Sequence, residues 1–140
     1  MSTQIAAMAE ILGLAHRPQD SYLHIADEMA LGLPAKTLDR LARFLAPDDA
    51  AFKYRVVPKA TLARIKGKRL SPAQSERLGR YARVWAVALG AWKSEEAARE
   101  FLWRRHMLLE GRRPIDVAST EVGARLVEEI LGGLEYGTAV

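Results

Sequence analysis

The chain has 140 residues and a formal net charge of +4; 49% of its residues are hydrophobic and 27% are charged. This balance is typical of a folded protein and excludes a disordered tail. No apolar run reaches the roughly 20 residues that a bilayer requires, and no secretory signal is recognisable, so we expect a cytoplasmic protein. Cysteine is absent, which excludes disulfides, thiol catalysis and thiolate-bound zinc. The three histidines show no ligand spacing, so we expect no metal and no cofactor.

Apolar residues recur at intervals of three and four along most of the sequence, and the alternation typical of strands is nearly missing. The fold class is therefore predicted to be all-α. Ser21, Ser71, Ser94 and Thr120 stand where N-caps are expected. In chain order the helices are predicted over residues 5–12, 22–31, 34–45, 47–55, 59–66, 72–90, 95–104 and 121–134, with an irregular stretch at 106–119. The last helix is predicted to bury Val122, Leu126, Val127, Ile130, Leu131 and Leu134.

The excess positive charge lies in one block of the sequence. From Lys53 to Arg83 there are ten basic residues and a single acid, Glu76, whereas the segments on either side are slightly acidic. A block of this density is typical of a surface that binds a polyanion, most often nucleic acid. On charge alone, a solvated helix face is an equally good explanation.

Two short predicted helices inside this block are joined by about three residues, Val56 to Pro58, which is the arrangement of a helix-turn-helix. In that motif the second helix enters the major groove of DNA, and flanking cations contact phosphates. The competing explanation is an α-helical bundle that merely has a basic face.

The helix-turn-helix interpretation assigns a role to each part of the block. Leu62 and Ile65 are expected to face inward, against Phe52 and Leu70. Base contacts are expected from the second helix, and contacts to the DNA backbone from the cations around it. The predicted base-contacting residues are Lys59, Thr61 and Arg64, and the predicted backbone-contacting residues are Lys53, Arg55, Lys66, Lys68 and Arg69.

No catalytic motif is present: the sequence lacks a nucleophile elbow, a Walker-type loop, a dinucleotide fingerprint and a placed pair of carboxylates. His24 and Glu28 share a helix face, but a structural histidine explains this pair better than a general base. Trp85, Trp92 and Trp103 lie in amphipathic helices, where core or interface packing is a better explanation than a stacking platform for single strands. We expect a protein that is not an enzyme.

The C-terminal third contains three short runs: LLEGRRPID at 108–116, STEVGAR at 119–125 and LEYG at 134–137. Together they resemble the toxin-binding domain of Xre/MbcA/ParS-type antitoxins. Upstream, TLAR at 61–64, RLSP at 69–72 and ERL at 76–78 resemble the helix-turn-helix half of the same family. The resemblance covers roughly residues 30 to 140.

The resemblance implies a small, all-helical, dimeric antitoxin of a type II toxin-antitoxin system. Its helix-turn-helix bundle would be followed by a small helical toxin-binding domain. Such a protein neutralises a RES-domain, NAD-degrading toxin by obstructing its active site, and represses its own operon by binding operator double-stranded DNA. The toxin-facing residues that the motifs carry over are Arg112, Pro114, Thr120, Gly123, Arg125, Glu135, Tyr136 and Gly137.

Alternatives stay open at this point. A stand-alone helix-turn-helix regulator, whose C-terminal domain only dimerises, is the other function that fits the sequence. Taken singly, Thr120 and Gly123 are better explained by structural roles than by toxin contact, and for the tail from Glu135 to Val140 the two explanations are even.

Three domains are predicted. They are an N-terminal segment at 1–20, to which no function is assigned, a helix-turn-helix domain at 21–84, and a C-terminal toxin-binding domain at 85–140.

Overall fold

The computed structural model describes residues 3–14, 21–65 and 67–135, and the regular structure within those ranges is helical. The predicted all-α fold class is confirmed. The chain divides into two compact units, Met1–Ala82 and Arg83–Val140, and the division falls inside the longest helix. None of the helices in the described ranges is long and apolar enough to cross a membrane.

Eight α-helices and two 3₁₀ turns make up the described part of the chain. In order they are α1 (Thr3–Ile11), α2 (Tyr22–Leu31), α3 (Lys36–Leu45), the first 3₁₀ turn (Phe52–Arg55), α4 (Lys59–Arg64), α5 (Pro72–Trp92), α6 (Glu95–Trp103), the second 3₁₀ turn (Met107–Leu109), α7 (Pro114–Val117) and α8 (Glu121–Glu135).

The first unit is held together by apolar side chains from α1, α3, the first 3₁₀ turn and α5. Helix α1 packs against α3 and buries Ile11. Arg40 of α3 donates from Nε to the carbonyl of Glu10 at 2.7 Å. The ring of Phe52 meets that of Tyr81 edge-on, with centroids 5.4 Å apart. Helix α1 therefore has a packing role that the sequence did not indicate.

The predicted helix starts are confirmed where a capping side chain is present. At the start of α5, Ser71 Oγ accepts from the amide of Gln74 at 3.1 Å, and Gln74 Oε1 accepts from the amide of Ser71 at 2.8 Å. This is a reciprocal capping box. Ser21 and Ser94 each accept from an amide three residues further on and cap α2 and α6. These starts follow from local sequence because a cap satisfies an amide that the first turn leaves without a helical partner.

The prediction of a helix over residues 47–55 is wrong. In its place the chain makes a series of turns and then the four-residue 3₁₀ turn that begins at Phe52. The reason is local: Asp49 Oδ1 accepts from the amide of Ala51 at 2.9 Å, and a side-chain bond of this kind competes with helical pairing of the backbone.

Helix α3 begins at Lys36 rather than at Pro34, where the sequence predicted its first turn. The residues before Lys36 pair instead with the segment that follows α4. The amide of Leu70 donates to the carbonyl of Leu33 at 2.7 Å. The start of α3 is therefore set by a long-range contact and not by the proline.

The second unit is built from the end of α5 together with α6, α7 and α8. Helix α6 packs on α7, and α7 packs on α8. The stretch predicted to be irregular contains the second 3₁₀ turn and α7. Helix α7 begins at Pro114, whose fixed φ and missing amide suit the first position of a helix. The core of the second unit includes Trp85, Leu102, Ile115, Val127 and Leu131.

Helix α8 buries a narrower face than the one predicted. Ile130 is buried as expected, but Val122 is 81% exposed and Leu126 is 42% exposed, so the prediction is wrong for these two residues. Ala124 is fully buried, and a residue two positions from Val122 lies on nearly the opposite side of a helix. A small side chain at 124 brings the backbone close to the core and turns Val122 outward.

Candidate functional site

The turn before α4 is fixed by burial and by an arginine hydrogen bond. Val56 and Val57 are fully buried, and Arg77 Nη1 donates to the carbonyl of Val56 at 2.5 Å. Helix α4 follows directly after Pro58. The predicted break at 56–58 is confirmed, and the core of the first unit holds it in place.

Helix α4 itself has no buried residue. Lys59 and Arg64 are exposed, and Thr61 accepts at Oγ1 from Arg64 Nη2 at 3.3 Å. Leu62 and Ile65, predicted to face inward, are only half-buried, because a helix of six residues presents less than two turns to the core. All three predicted base-contacting residues therefore lie on an accessible helix.

A cleft of about 690 Å³ runs beside α4. Among its described lining residues the one acid is Asp39, whose Oδ1 lies 3.2 Å from Lys53 Nζ. Sequence reasoning missed Lys36, which enters the lining because Pro34 pairs with Arg69, far along the chain. The basic residues that line the cleft are Lys36, Lys53, Lys59, Lys68 and Arg69.

Tyr54 also lines this cleft and lies within reach of two of its lysines. Lys53 Nζ is 5.6 Å and Lys59 Nζ is 5.8 Å from the centroid of the ring, distances at which an aromatic face attracts a cation. The ring restrains two flexible side chains near the cleft. In the sequence Tyr54 stands between Lys53 and Arg55, and this position was the signal that could have indicated its role.

The two predicted phosphate contacts after α4 are held in different ways. Arg69 Nη1 donates to the carbonyl of Gly32 at 2.6 Å, so its guanidinium is tied to the end of α2. Lys68 is held through its backbone, whose carbonyl accepts from the amide of Ala35 at 2.9 Å, and its side chain is exposed. Lys68 can reach a ligand without breaking a fold contact made by its side chain.

Of the other two predicted backbone contacts, Arg55 lies outside the cleft lining. Arg55 is exposed, and its guanidinium carbon is 5.8 Å from the ring centroid of Phe52. Lys66 lies outside the described residues. The structure thus brings Lys53, Lys59, Lys68 and Arg69 together at one cleft, and places Thr61 and Arg64 on the adjoining helix.

The C-terminal end of the basic block serves the fold. Arg80 pairs with Glu76 at 3.0 Å. In the second unit, Arg83 Nη2 lies 2.9 Å from Glu121 and 2.8 Å from Glu128. Burial works against the charge of Arg83, but hydrogen bonds and charges from Glu128 and Glu121 outweigh it and raise its pKa. The cationic surface is therefore smaller than the sequence block.

In the second unit, residues 105–112 form a tight turn held by backbone hydrogen bonds. His106 and Arg112 pair through their backbones, and the amide of Gly111 donates to the carbonyl of His106 at 3.0 Å. Glu110 has a left-handed φ of 56° and is followed by Gly111 at 81°. The side chain of Arg112 is exposed and lies 2.9 Å from Glu110. Arg112 is thus presented by an ordered turn.

Three residues of the family motif have structural roles. Pro114 is buried at the first position of α7. Thr120 Oγ1 accepts from the amide of Gly123 at 3.0 Å, which confirms the predicted cap of α8. A Cβ at position 123 would lie 1.8 Å from the carbonyl oxygen of Val117. Helices α7 and α8 can therefore pack this closely only because residue 123 is glycine.

The remaining predicted toxin-facing residues lie on α8 or beyond it. Arg125 is exposed and its Nε lies 3.3 Å from Glu121. Glu135 is the last residue of α8, while Tyr136 and Gly137 lie outside the described residues.

Arg113, which the sequence reasoning did not single out, is tied into the second unit. Its Nε donates to Asp116 at 2.8 Å, and its guanidinium carbon is 5.0 Å from the ring centroid of Trp103. Trp85 is buried in the core. The predicted core packing is confirmed for Trp85.

A groove of about 380 Å³ also lies in the second unit. Its lining combines Trp92, Phe101 and Leu134 with two arginines, Arg104 and Arg105. The rings of Trp92 and Phe101 have centroids 6.0 Å apart. An apolar lining bordered by cations suits a segment of another protein better than a small polar ligand.

Two known protein domain families match the chain, one in each of its two units. Residues 32–83 match the antitoxin Xre-like helix-turn-helix domain, and residues 88–137 match the antitoxin Xre/MbcA/ParS C-terminal toxin-binding domain. The chain thus has the two-domain organisation of an Xre-type antitoxin. No curated protein matches the sequence significantly.

The two matches fit the geometry of the two units. The helix-turn-helix match contains α4 and the basic cleft, which supports DNA binding. The toxin-binding match contains the 105–112 turn, α7 and α8. Within the described ranges, no three histidine, aspartate or glutamate side chains are grouped so that they could hold a metal ion.

Proposed function

We propose that this chain neutralises a RES-domain, NAD-degrading toxin by obstructing its active site, and that it represses its own operon as a homodimer in the cytoplasm. The observation that carries the proposal is the pairing, in one chain, of a helix-turn-helix domain with a toxin-binding domain. The first supplies a DNA-binding surface and the second a surface for a protein partner. In this proposal the chain acts by binding and is not itself an enzyme.

On the DNA side, α4 enters the major groove of the operator. Lys59, Thr61 and Arg64 contact base edges, and an arginine suits guanine O6 and N7. The cleft beside α4 receives the phosphate backbone, which explains why its cations converge there. The proposed backbone contacts are Lys53, Arg55, Lys66, Lys68 and Arg69, and we add Lys36 because it lines the same cleft.

On the toxin side, the side chains of Arg112 and Arg125 are exposed and contact the partner. Pro114, Thr120 and Gly123 support those contacts by shaping the α7–α8 packing. The tail that begins at Glu135 and continues through Tyr136 and Gly137 enters the toxin's active site.

The proposal predicts that a RES-domain protein is encoded beside this gene, and the direct test is co-expression with that protein. The native chain is expected to co-purify with that protein and to stop its consumption of NAD. A chain truncated before Glu135 is expected to bind the toxin without silencing it. Complete silencing by the truncated chain would rule out occlusion by the tail.

Operator binding is tested by footprinting on the promoter region of the same operon. A homodimer is expected to protect two half-sites about 34 Å apart, or a multiple of that distance, because its two α4 helices follow successive turns of the major groove. Operator binding with no effect on the toxin would instead indicate a stand-alone regulator whose C-terminal domain only dimerises.

A further inference from the structure

Two large apolar side chains are exposed side by side on α8. Val122 is 81% exposed and Leu126 is 42% exposed. Residues four positions apart are neighbours on one helix face, so the two side chains form a continuous apolar strip. Arg125 and Glu129, both exposed, border it with opposite charges.

The fold of the second unit does not need this strip. Helix α8 already contributes a full buried face, in which Ala124, Val127 and Leu131 are inaccessible to solvent. Exposed apolar residues that adjoin one another offer a partner a continuous apolar area to bury, with the polar border as its rim. The helix therefore has one apolar face in its own core and a second apolar face that is exposed.

Two of the predicted toxin-facing residues cannot form the central contact themselves. Pro114 is buried, and Gly123 is in close contact with Val117. Their effect is to fix where α8 lies, because the α7–α8 packing tolerates no side chain at 123. A rigid helix loses little conformational freedom when a partner binds it, which favours affinity.

The identity of the partner follows from the family match. Helix α8 lies wholly within residues 88–137, which match a toxin-binding domain. We propose that the toxin docks on the α8 face formed by Val122 and Leu126, with Arg125 and Glu129 at its edge. The inference rests on the proposed function, since the partner is taken to be the RES-domain toxin. It requires an apolar pocket on the toxin that receives these two side chains.

The experiment compares two double variants with the same change of charge. Val122→Glu with Leu126→Glu alters the α8 strip, and Leu23→Glu with Leu31→Glu alters two leucines of α2, each 71% exposed in the first unit. The probe is the RES-domain protein that the proposed function predicts beside the gene, immobilised for affinity measurement. We expect the α8 variant to lose about 100-fold in affinity, as for a hot-spot pair, and the α2 variant to stay within about twofold of the native chain.

Folding is checked on the same samples. Both altered α8 residues are exposed, so operator binding and the melting temperature are expected to stay native. Should the charged variant unfold, Val122→Ser with Leu126→Ser replaces it, with an expected loss of about tenfold in affinity. Two further variants, Met107→Glu on the second 3₁₀ turn and Trp92→Ser in the groove, test the competing surfaces of this unit.

The outcomes separate the inference from the function on which it rests. Native affinity in the α8 variant overturns the inference, and a loss confined to Met107→Glu or Trp92→Ser would place the contact on the turn or in the groove. An equal loss in the α2 variant would also overturn it. If the native chain fails to bind the toxin, both the inference and the proposed function are wrong.

Discussion

In the first unit, the residues expected to touch the ligand are separate from those that hold the fold. Helix α4 has no buried residue, and the rigidity of its setting comes from Val56 and Val57 in the core. In the second unit, the most distinctive motif residues are themselves structural: Gly123 allows a close helix contact, and Thr120 caps α8. A sequence motif can thus mark the support of a binding surface and not the surface itself.

The largest expected effect tests whether Gly123 is structural. Gly123→Ala would place a methyl group against the carbonyl of Val117, a backbone atom that cannot rotate away. We expect the free energy of unfolding to fall by about 3 kcal/mol. All three tryptophans lie in the second unit, so denaturation followed by tryptophan fluorescence reports on that unit.

The matched control is Gly132→Ala on the same helix. A Cβ at position 132 would meet no atom within 4 Å. Alanine in a helix interior is more stable than glycine by about 1 kcal/mol, so this variant is expected to gain stability. If the two alanine variants behaved alike, the close approach at Gly123 would not be the determining feature.

Substitutions of Arg64 and Lys68 test whether the ligand contacts of the first unit are separate from the residues that hold its fold. Arg64→Ala is expected to weaken operator binding by about 2 kcal/mol and to relax sequence preference at one position, because the arginine contacts a base. Lys68→Ala is expected to weaken binding to operator and to random DNA alike. The slope of the logarithm of the binding constant against the logarithm of the salt concentration is expected to become shallower by about one. Titrations at several salt concentrations measure both effects, and neither variant is expected to change stability.

Equal losses on operator and random DNA for Arg64→Ala would move that residue into the phosphate-contacting group. A change in its unfolding free energy larger than about 0.5 kcal/mol would remove the contrast between the units, since Arg64 would then also support the fold.

The parts of the fold that sequence predicts are those encoded within a few residues. Ser71 and Gln74 cap each other across one turn, so the start of α5 could be predicted from four letters. The turn at 47–51 could not be predicted in this way. The carboxylate of Asp49 can stabilise a helix start or accept from the nearby amide of Ala51, and only the surrounding packing decides between the two.

The parts that escape sequence reasoning depend on distant contacts. Lys36 joins the basic cleft because Pro34 pairs with Arg69, and nothing near Lys36 in sequence indicates that pairing. Val122 was expected on the buried side of α8 because it belongs to a series of apolar residues at helical spacing. Packing favours Ala124 there, since a small side chain allows a closer approach of the helix to the core.

A smaller effect is expected from Thr120→Ala, which removes the cap of α8. The loss of one N-cap costs about 1 kcal/mol of unfolding free energy, and toxin affinity is expected to fall only as far as α8 loosens. Thr120→Ser keeps the hydroxyl and is expected to behave like the native chain in both measurements. Reduced toxin affinity in Thr120→Ser, with stability unchanged, would show a direct contact through the threonine methyl group.

The smallest effect on stability is expected from Arg112→Ala, and this variant separates the two kinds of motif residue most cleanly. Arg112 is exposed and its ion pair is with exposed Glu110, so the free energy of unfolding should change by less than about 0.5 kcal/mol. Toxin affinity is expected to fall about tenfold if the exposed motif residues are the ones that touch the partner. Arg43→Ala is the matched control, because Arg43 is an exposed arginine of α3 that lies outside the motif and outside the linings of the groove and the cleft. An equal loss of affinity in both variants would point to overall charge as the cause, whereas a loss in Arg112→Ala alone would show that the motif contributes contacts as well as support.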